Sequence, residues 1–244
     1  QGTNPDIVNY YVIAYDGCSP GDTEMVSVSF HPNPVADFSA NNWGCAPLKV
    51  LFDNTSTPPG SIATATWELG DGYLSYDLDT FYHTYGAGTY EVQLTVTSTN
   101  GVNCTDKKVE TAYIQVNPNP KADFMASPQP TTVQNMLIQF TDLSTGNGNN
   151  LSSWQWQFYD YDQATLLGIS TLQNPGYNFS SSGDPADQFT YYMGDTGDYK
   201  IILKIVSEYG CTDSIEEMIH IGGVYYISIP NAFSPNGDGL NDVF

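Results

Sequence analysis

Arginine is absent from this sequence, and six lysines stand against 27 acidic residues, for a formal net charge of −21. That charge repels phosphate backbones and anionic headgroups, and with no guanidinium there is no bidentate phosphate contact, which argues against nucleic-acid binding. No run of 18 or more apolar residues occurs, so no segment reads as a membrane-spanning helix. HExxH, GxSxG and Walker motifs are missing, and the three histidines, His31, His83 and His220, are scattered. Without a nucleophile, base and orienting group in a recognisable pattern, the chain is expected not to be an enzyme. The chain starts at Gln1 without an initiator Met, basic stretch or apolar stretch, so no signal peptide is read, and an internal or processed segment is expected.

What the chain does hold is the material of short strands and turns. Its 18 Tyr, 11 Phe and many Val and Thr are separated by clusters drawn from 22 Gly, 15 Pro and numerous Asn and Asp. That pattern predicts an all-β fold with a packed core, and the length suits two sandwich domains or one larger domain. The carboxylates need either water or divalent cations around them; calcium in an extracellular setting would serve, and a solvated acidic surface is the alternative.

The sequence repeats itself. Phe30 to Phe38 (FHPNPVADF) recurs as Val116 to Phe124 (VNPNPKADF), 86 residues on. GTYEVQLTV recurs as GDYKIILKI, with Tyr90 matched to Tyr199, 109 residues on. In both copies a Tyr and three aliphatics alternate along one face: Tyr90, Val92, Leu94, Val96 and Tyr199, Ile201, Leu203, Ile205. This is the period of a half-buried antiparallel strand. The unequal offsets place an insertion of about 23 residues in the second copy, expected within 160–188. The doubled prolines of HPNP and NPNP predict short, stiff joints between domains.

The four cysteines follow the repeat in part. Cys18, Cys104 and Cys211 each sit in a turn ahead of a Ser or Thr that opens a strand, whereas Cys45 lies just before the second strand of the first complete repeat. A Cys45–Cys104 disulfide is expected to staple that domain, leaving Cys211 unpaired and Cys18 without its upstream partner. Four reduced, buried thiols are the alternative. A disulfide implies an oxidising compartment, and closing such a loop contributes roughly 3–5 kcal/mol.

WELGDG (Trp67 to Gly72) followed by HTYGAGTYEVQLTVTS (His83 to Ser98) resembles the PKD domain, an immunoglobulin-like sandwich named for polycystic kidney disease. The resemblance implies Trp67 as core anchor, Gly70, Asp71 and Gly72 as a tight turn, and Tyr90 at the head of a core strand. Asp71 reads as a turn residue rather than a catalyst. The second copy keeps the anchor in WQFYD (Trp156, Phe158, Asp160) but loses the turn glycines.

Ile229 to Phe244 (IPNAFSPNGDGLNDVF) resembles the start of the gliding-motility-associated C-terminal domain, the type B sorting signal of the Bacteroidetes type IX secretion system. The residues that carry it are Pro230, Asn231, Phe233, Ser234, Pro235, Asn236, Gly237, Asp238, Gly239, Asn241 and Asp242. This implies export to the cell surface, with the secretion translocon and an accessory outer-membrane β-barrel as partners. Ser234, Asn236, Asp238 and Asp242 form a candidate calcium loop, with a hydrogen-bonded Asn/Asp turn as the alternative.

The expected organisation is therefore an extended array of tandem Ig-like/PKD β-sandwiches: closing strands of a preceding repeat over 1–32, a PKD domain over 33–118, a second PKD-like domain over 119–222, and the start of a sorting domain over 223–244. The expected function is a stalk or spacer in a surface adhesin, connected with gliding motility. The alternative is a carbohydrate-binding module, suggested by Trp154, Trp156, Tyr191 and Tyr192 and taking surface polysaccharide as ligand.

Overall fold

A computed structural model describes residues 6–15, 17–18, 20–30, 32–99, 103–160, 162–180 and 196–224. The sorting-signal residues 230–242, their calcium candidates, and Tyr191 and Tyr192 lie outside the described residues. Every regular element among the described residues is a β-strand. By contacts the chain divides into two compact units: one runs through Asn119 and takes in the turns 146–150 and 207–211, and the other comprises 120–145, 151–206 and the residues from 212 on.

The first sandwich is built from two sheets. One holds five strands in the order β4 (Trp43–Cys45), β10 (Thr105–Asn117), β9 (Gly88–Ser98), β6 (Ile62–Glu68) and β7 (Leu74–Ser75); the other holds β3 (Phe38–Ala40), β5 (Leu48–Asn54) and β8 (Phe81–Tyr85). The alternation read from the sequence is what makes the core. Val92, Leu94 and Val96 of β9 are buried, with Glu91 exposed and Gln93, Thr95 and Thr97 half-buried between them. Trp67 is fully buried from β6, and Phe38 and Phe52 from the other sheet pack on it at ring-centroid distances of 5.4 and 5.6 Å. Such tilted and edge-on aromatic pairs add about 0.5–1.5 kcal/mol each beyond the area they bury.

The second sandwich repeats this plan strand for strand. Its five-stranded sheet runs β12 (Thr131–Thr132), β18 (Thr212–Gly222), β17 (Gly197–Ser207), β14 (Leu151–Tyr159) and β15 (Leu166–Ser170). Its three-stranded sheet runs β11 (Phe124–Ser127), β13 (Leu137–Asp142) and β16 (Gly176–Asn178). Trp156 takes the place of Trp67, with Phe124 and Phe140 at 5.2 and 5.5 Å. Both tryptophans donate their indole N–H to a backbone carbonyl at 2.9 Å, that of Asp77 in one copy and Leu172 in the other. The carbonyl removes the penalty of burying the polar end of an otherwise apolar ring.

Most of the insertion in the second copy falls in two places. The β6–β7 pairing of Trp67 with Ser75 becomes the β14–β15 pairing of Trp156 with Ser170, a hairpin six residues longer. Most of the rest separates β16 from β17. In that longer hairpin the lost Gly-Asp-Gly turn is replaced by a turn in which Asp162 accepts hydrogen bonds from the amides of Ala164 and Thr165.

Residues 6–30 form a two-stranded antiparallel ribbon of β1 (Asp6–Tyr15) and β2 (Pro20–Phe30). Large apolar side chains are exposed on both of its faces: Val8, Tyr10 and Val12 on one, Ile7, Tyr11 and Ile13 on the other.

The disulfide differs from the expectation. Cys45 is bonded to Cys211, with the Cα atoms 5.6 Å apart, and not to Cys104, which is a free, half-exposed thiol. The reason is the length of β10. Cys45 pairs in parallel with Asn117 at the end of that strand, and Cys104 immediately precedes its start at Thr105. A strand of this length spans about 40 Å, whereas disulfide-bonded Cα atoms lie within roughly 7 Å. Cys211, expected to be unpaired, lies in the 207–211 turn of the same compact unit as Cys45.

Candidate functional site

The segment that singled itself out in the sequence, Trp67 to Gly72, turns the chain out of β6 and back into β7. Leu69 is fully buried and its N–H donates to the carbonyl of Tyr73 at 3.1 Å, closing the turn. Gly70 has φ +82°, and a Cβ built on it would lie 2.4 Å from the backbone oxygen of Glu91. Any side chain there meets the β9 backbone as well as an unfavourable φ. Gly72, at φ +91°, has open space around it.

Asp71 is clipped at both carboxylate oxygens. Oδ1 accepts the amide N–H of Tyr73 at 3.0 Å, and Oδ2 lies 2.6 Å from Nε2 of His83 on β8. The His83 ring is stacked on Tyr73 at 4.6 Å and meets the edge of Tyr85 at 4.7 Å. Tyr85 is buried, and its hydroxyl donates to the carbonyl of Leu69 at 3.1 Å. Half-buried Tyr90 heads β9 and donates its hydroxyl to the carbonyl of Gly86 at 3.2 Å. Partial burial by itself would raise the Asp71 carboxyl, but the His83 and Tyr73 donors outweigh it and hold the group below the ordinary carboxylate range. Burial likewise pushes the Tyr85 hydroxyl well above its ordinary value.

Chemically, this arrangement holds a turn. His83 makes its polar contact with Asp71 and packs its ring against Tyr73 and Tyr85, so the pair joins the β6–β7 turn to β8 across the end of the sandwich. A shallow cavity of about 200 Å³ beside the turn is lined by Glu68, Tyr73, Glu91 and Gln93 among others. It lies below the range of roughly 300–1,000 Å³ typical of small-molecule sites. Among the described residues no group of three or more His, Cys, Asp or Glu side chains is placed to hold a metal ion.

Two functional details escape a reading of the motif alone. His83 ties the turn down, and a pair of aspartates near the repeat entrances anchors the incoming chain. Asp106 accepts the N–H of Ala36 at 2.8 Å, and Asp213 accepts the N–H of Ala122 at the same distance. The signal for the second was present as the tripeptide Cys-Thr-Asp at 104–106 and again at 211–213. The aromatic pair behind the carbohydrate reading points inward: Trp156 is fully buried, and half-buried Trp154 donates its indole N–H to Asp142 at 2.7 Å.

Comparison with known proteins finds a family match within the first sandwich. The profile described as PKD domain matches residues 31–114. No curated protein matches the chain. Among solved structures, the PKD1 domain of the Vibrio cholerae metalloprotease PrtV is 29% identical, covering 34% of this chain and 99% of its own, with a TM-score of 0.29. The PKD1 domain of Vibrio anguillarum Epp is 28% identical over 35% of this chain and 96% of its own, with a TM-score of 0.30. The fibronectin(III)-like modules of Clostridium thermocellum CbhA are 10% identical over 80% of this chain and 100% of theirs, with a TM-score of 0.37. Residues 31–114 are a PKD domain.

Proposed function

We propose that this chain is a stalk segment of an exported surface adhesin, its work being to hold other parts of a longer protein away from the cell. A PKD domain and a disulfide already point to an extracellular structural or binding role. The observation that carries the stalk reading is the strand-for-strand repetition of one sandwich plan. In both copies the distinctive polar side chains, Asp106 and Asp213 and the two indole N–H groups, are spent on the protein's own backbone. Stiff Pro-Asn-Pro joints and a surface rich in carboxylates suit a solvated rod.

Export by the type IX system, with its translocon and an accessory outer-membrane β-barrel as partners, is the route we assign from the resemblance of residues 229–244 to the type B sorting signal. Calcium at Ser234, Asn236, Asp238 and Asp242 belongs to the same proposal. So does a role in gliding.

Small-angle scattering of the isolated 244-residue chain tests the stalk. An elongated particle, with a maximum dimension well beyond that of one compact domain of this length, is the expected result. A single compact globule overturns it.

A further inference from the structure

The disulfide and the internal repeat together give a pairing rule. Cys211 occupies the β17–β18 turn, where the N–H of Ser207 donates to its carbonyl at 2.8 Å. Cys104 occupies the β9–β10 turn, where the N–H of Ser98 donates to its carbonyl at 2.9 Å. Two residues after each cysteine an aspartate takes the N–H of the alanine that leads into the repeat. Cys104 and Cys211 thus stand at the same point of the plan, each the last residue before the closing strand of its sandwich, although the β9–β10 connection is two residues longer than the β17–β18 one.

Their chemical states differ. Cys211 is bonded to Cys45 of β4, and Cys104 is a half-exposed free thiol. The β4-type position of the second sandwich is held by Thr132, which pairs with Gly222 as Cys45 pairs with Asn117. The second sandwich therefore offers Cys104 no partner. Its own sandwich offers only Cys45, at the far end of β10. A turn cysteine of this fold reaches a β4-type cysteine only when the latter belongs to a different repeat.

We propose that Cys104 is a cross-linking site whose partner is the β4-type cysteine of another PKD-type sandwich, so that turn cysteines bond repeat to repeat by the rule Cys211 and Cys45 display. The bond forms by thiol–disulfide exchange. The Cys104 thiolate attacks the disulfide of an oxidised dithiol carrier, and the partner thiolate displaces the carrier from the mixed disulfide. The two thiols give up two protons and two electrons, which leave as the carrier's two thiols. The partner sandwich belongs either to the same polypeptide or to a second chain, and the chemistry is the same for both.

The test uses the natural protein taken from its cells, with free thiols blocked by N-ethylmaleimide before lysis, digested without reduction and mapped by mass spectrometry. The expected result is loss of maleimide labelling at Cys104 and recovery of its peptide bonded to a cysteine that aligns with Cys45 in another sandwich. Non-reducing electrophoresis then separates the sources: unchanged monomer mobility means a partner in the same polypeptide, and a reducible dimer means a second chain. In the isolated 244-residue chain, Cys104 labels fully while Cys45 and Cys211 label only after reduction. Recovery of Cys104 from cells as its maleimide adduct, or bonded to glutathione or to a cysteine at any other position, overturns the proposal.

Discussion

At the scale of single residues, two glycines in one turn do different work. Both take positive φ, which costs an L side chain about 1–2 kcal/mol, but only Gly70 also lies against backbone, at 2.4 Å from its Cβ direction to the Glu91 oxygen. Gly70→Ala is therefore expected to lower unfolding free energy by about 3 kcal/mol or more, and Gly72→Ala by about 1 kcal/mol, as measured by urea titration. Equal effects at the two positions would contradict the close approach to β9. Asp71 makes a second prediction. Its folded pKa lies below the unfolded value of 3.8, so the carboxylate contributes stability above that value and the contribution is lost as pH falls through the folded pKa. Asp71→Asn should consequently lose less stability than the native chain between pH 5 and pH 3, with thermal melts at each pH as the measurement.

At the scale of elements, the length of β10 decides which cysteines meet. Period-two alternation in GTYEVQLTV shows that β9 is a strand with one buried face, and the match with GDYKIILKI shows that β17 is another. Neither pattern says which strand end lies beside which turn. The pairing expected from sequence joined two cysteines of one repeat, and the parallel pairing of β4 with the end of β10 rules it out. Cys45→Ser should lower the thermal midpoint of the isolated chain, with an upper bound of about 5 kcal/mol for a disulfide that closes so long a loop. Cys104→Ser should leave it unchanged in the same oxidised sample. Scanning calorimetry of the two variants checks this, and an equal loss in both would restore the Cys45–Cys104 bond.

The hairpin that replaces the Gly-Asp-Gly turn illustrates the limit of motif reading at this scale. WQFYD lacks the turn glycines, yet Trp156 still finds Phe124, Phe140 and a backbone carbonyl in the places their counterparts occupy. The anchor belongs to the core, where packing constrains it. The turn belongs to the surface, where a longer hairpin serves equally well.

At the scale of the whole molecule, a net charge of −21 keeps acidic surfaces apart, and the same charge on every copy favours solubility over self-association. Under the proposed function the tail segment 229–244 is an address. A natural protein lacking it is expected to disappear from the outer surface and accumulate inside the cell envelope, as read by protease treatment of intact cells. Surface display that survives the deletion would count against the type IX route and leave the sandwich architecture untouched.

The sequence by itself determined what is local or periodic: strands from alternating Tyr, Val, Leu and Ile, the tryptophan anchors, the tight turn at Gly70 and Gly72, and a repeated plan announced by Asn-Pro-Val-Ala-Asp-Phe and Asn-Pro-Lys-Ala-Asp-Phe. A side chain's inward or outward direction follows from its neighbours two positions away, so these features can be read along the chain. Only the tertiary structure decided the bond between Cys45 and Cys211, the clip from His83 to Asp71, and the aspartates that catch Ala36 and Ala122. Each of these joins residues of different elements, brought together by long-range strand pairing and by packing of one sheet on another, and no local pattern encodes either.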